Sequence, residues 1–173
     1  ETHAEATGHL RESPLIFYPH LAGDKTIYAD PNLRGMFIGL GTDTTRKEMT
    51  LAVMEGICLA ARQLSEVMCL TKEELKGLKV TGGGSKNQVW MQMLADVLGT
   101  EVQQMESGAG AGYGIALAAA GSQGEISMEQ ILHHTIKIKK TFSPRAYNQG
   151  LYEGKYQKYK KIYRCYQEIM SEE

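Results

Sequence analysis

Apolar residues come first in short runs and then in helical stripes. Leu15 to Pro19 (LIFYP) and Met36 to Leu40 (MFIGL) are too short for helices and predict two strands. Gly23, Pro31 and Gly35 punctuate the loop between them, and residues 1–13 are polar and expected to be loose. From Met49 the period changes. Met49, Val53, Ile57, Ala60, Leu64 and Val67 recur at spacings of four and three, which predicts one long amphipathic helix. Thr45 followed by Glu48 has the spacing of a capping box at its start. Gly56, Ala52, Ala60 and Ala61 would allow another element to approach this helix closely.

Strands and helices then alternate. TKEELKG is a short helix or turn, LKVTGG a strand, and SKNQVWMQMLADVLG a helix beginning near Ser85 or Lys86. Val89, Met93 and Val97 share one face of that helix with Trp90 and Leu94 beside them, and Gly99 is its natural stop. EVQQM is a strand, GAGAGYGIALAAAGSQG turns from glycine-rich to helical, and SMEQILHH is a short helix. TIKIKKTF alternates apolar and polar residues, as an edge or half-buried strand does. A terminal helix over 145–171 carries Tyr152, Tyr156, Tyr159, Tyr163, Tyr166 and Met170 as one stripe, with Lys155, Lys158, Lys160 and Lys161 on its other faces. Tyrosines docked on the domain explain that stripe better than nucleic-acid binding does. The alternation defines an α/β fold in one domain.

Composition narrows the function classes. The formal net charge of −1 gives no global attraction to nucleic acid or anionic lipid. No apolar run approaches the ~20 residues of a membrane span, and the polar N-terminal stretch does not read as a signal peptide. Cys58, Cys69 and Cys165 are widely spaced and read as reduced thiols of a cytoplasmic protein. His133 and His134 have no further metal ligand at suitable spacing, so no metal site is expected.

The stretch with candidate chemistry is VTGGGSKNQVWMQ, Val80 to Gln92. Its glycines lack the spacing of a P-loop, and Asn87 stands where a dinucleotide fingerprint needs its third glycine. What remains is a strand-to-helix turn with a bare backbone, free N–H groups near a helix start, and Asn87 offering both donor and acceptor. A ligand shelf and a glycine turn needed for close strand–helix packing fit these residues equally well. GAGAGYGIALAAAG is a second candidate wall, or a small-residue helix packed on the sheet.

The order of motifs resembles the FGGY carbohydrate kinases. GMFIGL, a gap of seven residues and EMTLAVME (Gly35 to Glu55) fit a signature of that family. YPHLAGDKTIYADPNLRG is similar to its Pro-Tyr-Leu-x-Gly-Glu-Arg-Thr-Pro loop, TGGGSKNQVWMQMLADVLG to its adenosine-binding turn, and FSPRAY with the tyrosine tail to its C-terminus. His20 replaces the usual Tyr, Asp24-Lys25 replaces Glu-Arg, and Ile27 stands where Pro is common. Within the family the loop is most similar to that of xylulokinases.

The resemblance implies an actin-like, ribonuclease H-like ATPase fold of two domains, of which this chain is the later part of the C-terminal one. It implies ATP and Mg2+ as cofactors, a pentulose or sugar acid held mainly by an N-terminal domain, and no nucleic-acid or membrane partner. A homodimer is compatible with it. It places Gly83 and Gly84 against adenine and ribose, Asn87 on the base, and Gly82 and Ser85 beside them. No residue here matches the family's catalytic aspartate, so no catalytic residue is assigned and the chain alone is expected to be inactive. Asp24, Asp30 and Asp43 sit in loops without that role. The alternative is a non-catalytic actin-like module that binds nucleotide or a partner.

Overall fold

The computed structural model describes residues 13–106, 111–122 and 137–170. The expected SMEQILHH helix and the glycines at 108 and 110 lie outside them, as does His133-His134.

Two strands, β1 (Ile16–Tyr18) and β2 (Met36–Ile38), pair antiparallel, with Ile16 opposite Ile38. The helix α1 (Arg46–Val67) crosses beside them. It starts as expected: Thr45 accepts from the Glu48 N–H, and the Glu48 carboxylate accepts from the Thr45 N–H. The Thr45 N–H, foremost, and the Thr45 hydroxyl both donate to the Glu48 carboxylate and hold it below its ordinary pKa.

The expected apolar stripe of α1 flanks its buried face: Met49, Val53 and Ala60 are half-buried against the core clusters. Ile57 and Val67 are exposed, whereas Ala52, Glu55, Gly56, Leu59 and Gln63 are buried. Two interactions set this rotation. A Cβ on Gly56 would lie 2.2 Å from the Phe17 carbonyl oxygen, so β1 passes directly over this glycine. One position earlier, Glu55 forms an ion pair with Lys155, the side chains being 1% and 2% exposed. Lys155 also donates to the Ser13 carbonyl at 2.8 Å, and the Ser13 N–H donates to Glu55 at 3.2 Å. Ser13, expected to be loose with residues 1–12, is therefore buried, and Lys155 is a core residue and no part of a solvated basic face.

After the short helix α2 (Lys72–Leu75), β3 (Leu78–Val80), α3 (Gln88–Leu98) and β4 (Val102–Met105) form a parallel strand–helix–strand unit, with Val80 opposite Gln104. The small-residue helix α4 (Ala111–Ser122) follows. From Gly114 to Ala119 its side chains are exposed apart from half-buried Leu117, and Ile115 is 70% exposed, so of the two readings of this stretch the helix packed tightly on the sheet does not hold over these residues. β5 (Ile138–Phe142) adds antiparallel to β4, placing Phe142 opposite Val102 and Lys140 opposite Gln104. It is the expected edge strand, exposed except for Phe142.

α3 lies between two apolar clusters. Met93 and Val97 pack with Tyr18, Cys58 and Leu59, while Met91, Ala95 and Leu98 pack with Val102 and Phe142. Burial pushes the Cys58 thiol up to about 12, and all three cysteines are free. The buried Asp96 accepts from the Arg145 and Asn148 side chains and from the Arg145 N–H, which fixes the FSPRAY segment to α3.

The terminal helix anticipated over 145–171 is two helices, α5 (Ala146–Tyr159) and α6 (Ile162–Met170), separated at Lys160 and Lys161. Tyr152, Tyr156 and Tyr159 are buried. Tyr163 stacks on Tyr28 at 3.8 Å, and Tyr166 donates to the Asn32 carbonyl at 2.9 Å. The break lets the second half of the stripe follow the 24–34 loop, and the stripe ends before Met170, which is 57% exposed. No helix among the described residues is long and apolar enough to cross a membrane.

Replacing Lys155 with Met leaves Glu55 charged and buried, so it is expected to cost about 3–5 kcal/mol in urea unfolding. The double substitution Glu55→Leu/Lys155→Met should recover most of that loss. Equal losses in the single and double variants would show that packing volume, not the charge pair, sets the penalty.

Candidate functional site

The glycine turn leaves the sheet at the end of β3. Gly82 has φ +93°, a backbone conformation that favours glycine, and the chain then makes a single 3-10 turn over Gly84–Lys86. The α-helix starts later than expected, at Gln88, because Asn87 is extended and acts as its N-cap. The Asn87 Oδ1 accepts from the Val89 N–H at 3.0 Å and the Trp90 N–H at 3.2 Å. Its acceptor is therefore committed to the helix, and Nδ2 is the group left to meet a ligand.

The three glycines are not equivalent. A Cβ on Gly82 or Gly83 would meet none of the described residues within 4 Å. A Cβ on Gly84 would lie 2.8 Å from the Trp90 ring. The two readings of the stretch thus divide between positions. Gly84 serves close strand–helix packing, while Gly82 and Gly83 present open backbone. Trp90 is held in turn by its indole N–H, which donates to the Met54 carbonyl of α1 at 3.2 Å.

Ser85 is buried, and its hydroxyl closes the turn by donating to the Gly82 carbonyl at 2.8 Å. Its own carbonyl accepts from the Gln104 side chain at 2.7 Å. Sequence reasoning missed Gln104. A polar residue at an inward position of the short EVQQM strand was the available signal, but alternation alone does not say which of two adjacent glutamines points inward.

The 20–34 loop is organised by its own acidic residues. Asp24 accepts from the Ile27 and Tyr28 N–H groups at 2.7 and 2.6 Å, and Asp30 from those of Asn32 and Leu33 at 2.8 and 3.2 Å. These carboxylates serve loop closure. His20 lies 3.3 Å from Asp24 and within ring-contact distance of Tyr18 and Tyr28. Burial lowers its pKa, and the neighbouring Asp24 opposes that shift.

A cavity of about 420 Å³ lies elsewhere, at the opposite end of α3, between Arg62, Glu66, Lys72, Val97, Gly99 and Glu153. An 11-residue helix puts it roughly 16 Å from the glycine turn. Its arginine is already paired, Arg62 with Glu153 at 2.5 Å. Among the described residues no group of three or more His, Cys, Asp or Glu side chains could hold a metal ion.

The parallel strand–helix–strand unit, with a glycine turn at its strand end, is an α/β arrangement shared by many nucleotide-binding folds, and similarity to known proteins places it in the actin-like ATPase fold. Residues 2–122 match the FGGY family of carbohydrate kinases, C-terminal domain, and the chain belongs to that family. It is 31% identical over 160 residues to a xylulose kinase of Staphylococcus epidermidis, an alignment spanning 92% of this chain and 32% of that protein. Among solved structures it is similar to a xyloylose kinase from Brucella ovis, with a TM-score of 0.84, 26% identity, and coverage of 97% of this chain and 35% of that one. Plasmodium falciparum glycerol kinase with ADP shares the fold, with a TM-score of 0.72 at 19% identity over 94% of this chain and 33% of that one. The chain thus spans about a third of the length of the relatives it matches.

The inequivalence of the glycines can be measured. Gly84→Ala forces the Trp90 ring to move and is expected to destabilise by about 1–3 kcal/mol. Gly83→Ala meets open space at φ −60° and should be neutral or stabilising by up to about 1 kcal/mol. Urea unfolding of both variants, with near-ultraviolet dichroism of Trp90, checks the order. Equal stabilities would mean that Trp90 does not constrain the turn.

Proposed function

We propose that the complete gene product is an ATP-dependent sugar kinase, and that this chain supplies its adenosine-binding part. The reaction is transfer of the γ-phosphoryl group of ATP, as its Mg2+ complex, to a hydroxyl of a ketose or sugar acid. Relatives named xylulose kinase make a pentulose the first substrate to try. The carrying observation is the open backbone at Gly82–Gly83 on a strand end, within a chain of this family.

The residues present fit adenosine. Gly82 and Gly83 carry no side chain, and a Cβ there would meet none of the described residues within 4 Å, so a flat ring system can lie against the peptide planes. Asn87 Nδ2 can donate to a ring nitrogen of the base while Oδ1 continues to cap α3. Gly84 and Ser85 contribute from below. Gly84 rests on Trp90, and the buried Ser85 hydroxyl fixes the curvature of the turn. A sugar kinase stabilises transferred charge with metal and N–H donors and needs a base positioned at the acceptor hydroxyl. Within this chain Asp24 and Asp30 are engaged by backbone N–H groups, and neither is assigned that task.

Two outcomes are expected. Gly83→Val places a branched side chain where the ring system would lie and should weaken ATP binding by tenfold or more with little loss of stability; calorimetric titration of the complete gene product checks it. The 173-residue chain alone should show no phosphoryl transfer to any sugar in a coupled assay with ATP. Turnover by the isolated chain, or unchanged ATP affinity in Gly83→Val, would each overturn its part of the proposal. Retained ATP binding with no turnover of any sugar by the complete gene product would favour the non-catalytic reading.

A further inference from the structure

We infer that Gln104 is a positioning residue for the nucleotide, acting through the Ser85 carbonyl. This rests on the adenosine reading of the glycine turn and extends it to a side chain outside the turn, one strand away.

Gln104 sits on β4 opposite Val80, the last residue of β3 before the turn, and opposite Lys140 of β5. It is 4% exposed. On its strand face it has Val102 and Phe142 toward the core, with Val80, Met91 and Ala95 completing that cluster, and Lys140 at the exposed rim, where its ammonium lies over the Phe142 ring and donates to Gln88. An amide in such surroundings costs free energy unless it is hydrogen-bonded. The Gln104 Nε2 group donates to Ser85 at 2.7 Å. Its Oε1 is buried and has no hydrogen-bond donor among the described residues. One half of the amide is thus tied to the turn while the other half remains unsatisfied.

The tether has a geometric consequence. The inner side of the turn is fixed at three points: the Ser85 hydroxyl on Gly82, the Trp90 ring under Gly84, and Gln104 on the Ser85 carbonyl. The first two act within the turn and its own helix. Among the described residues, Gln104 is the side chain of the sheet that holds the turn itself, with Lys140 holding Gln88 just beyond it, and so it sets the tilt of the Gly82–Gly83 peptide planes relative to β3 and β4. A shelf that must match a flat ring depends on that tilt before the ligand arrives. Loss of the tether lets the turn rotate about Gly82, and each bound nucleotide must then order it again.

The test compares Gln104→Met, which keeps length without the donor, and Gln104→Glu, which keeps shape but sets an acceptor against the Ser85 carbonyl. Both are assayed in the complete gene product with the sugar that it turns over. The expected result is a KM for ATP raised about five- to tenfold, with kcat and the KM for sugar within twofold of the parent. A role confined to stability predicts the reverse: a lowered Tm and reduced apparent kcat, with an unchanged KM for ATP. KM does not depend on how much of the protein is folded, so a partly unfolded variant still decides between them. Gly83→Val, run in parallel, separates the two levels. If it raises the KM for ATP and neither Gln104 variant does, the positioning role is wrong and the shelf stands. If Gly83→Val also leaves it unchanged, the shelf reading fails and the role of Gln104 falls with it.

Discussion

The buried pair of Glu55 and Lys155 is the constraint on which the arrangement turns. It joins the middle of α1 to α5 and, through Ser13, to the chain entering β1. A charge pair that is almost fully buried can persist only in one relative placement of its partners, since either ion left alone is strongly destabilising. It therefore fixes the rotation of α1 about its own axis. Gly56, the next residue, must then face β1, where no Cβ could be accommodated beside the Phe17 carbonyl. The residue before, Met54, presents its carbonyl to the Trp90 indole.

That last contact carries the constraint to the site. Trp90 bridges α1 and the glycine turn, touching Met54 with its N–H and lying under Gly84 with its ring. The turn is thus positioned from α1 through Trp90 and from the sheet through Gln104. Its outer surface, Gly82 and Gly83, is left bare because everything that holds the turn attaches from within. A residue can be essential to such a site without approaching the ligand, and Trp90 is placed as one.

How much of this could be read from the sequence depended on the kind of signal. The capping box at Thr45 and Glu48, the αL stop at Gly99 and the Met93–Val97 face of α3 are local, and each is where the spacing put it; the second buried face, Met91, Ala95 and Leu98, was not expected. The rotation of α1 was not legible, because its buried face contains Glu55 and Gln63, residues that a hydrophobic count assigns to solvent. Lys155 was misread for the same reason, since its partner lies 100 positions away and no period reveals it. The break at Lys160 and Lys161 was invisible because the tyrosine stripe continues across it at unbroken helical spacing. In the site, the glycines announced a special turn. Which of them serves packing and which is open depends on where Trp90 lies, and that is a fact of tertiary structure.

The cap on α3 also bears on the proposal that the turn takes the adenosine half of a nucleotide. A helix start that binds phosphate does so with its first unpaired N–H groups. At α3 the N–H groups of Val89 and Trp90 are both taken by Asn87 Oδ1. The side chain that could pair with a base is thus the one that withdraws two of the helix donors from an anion. A phosphate placed at this turn would meet Gly82–Gly83 backbone on one side and an already satisfied cap on the other. A neutral, flat base asks for less: an unobstructed peptide surface and a single directed donor such as Asn87 Nδ2. On the proposed reading, this donor set suits the adenosine end at the turn, with the charged end of the nucleotide directed away from α3.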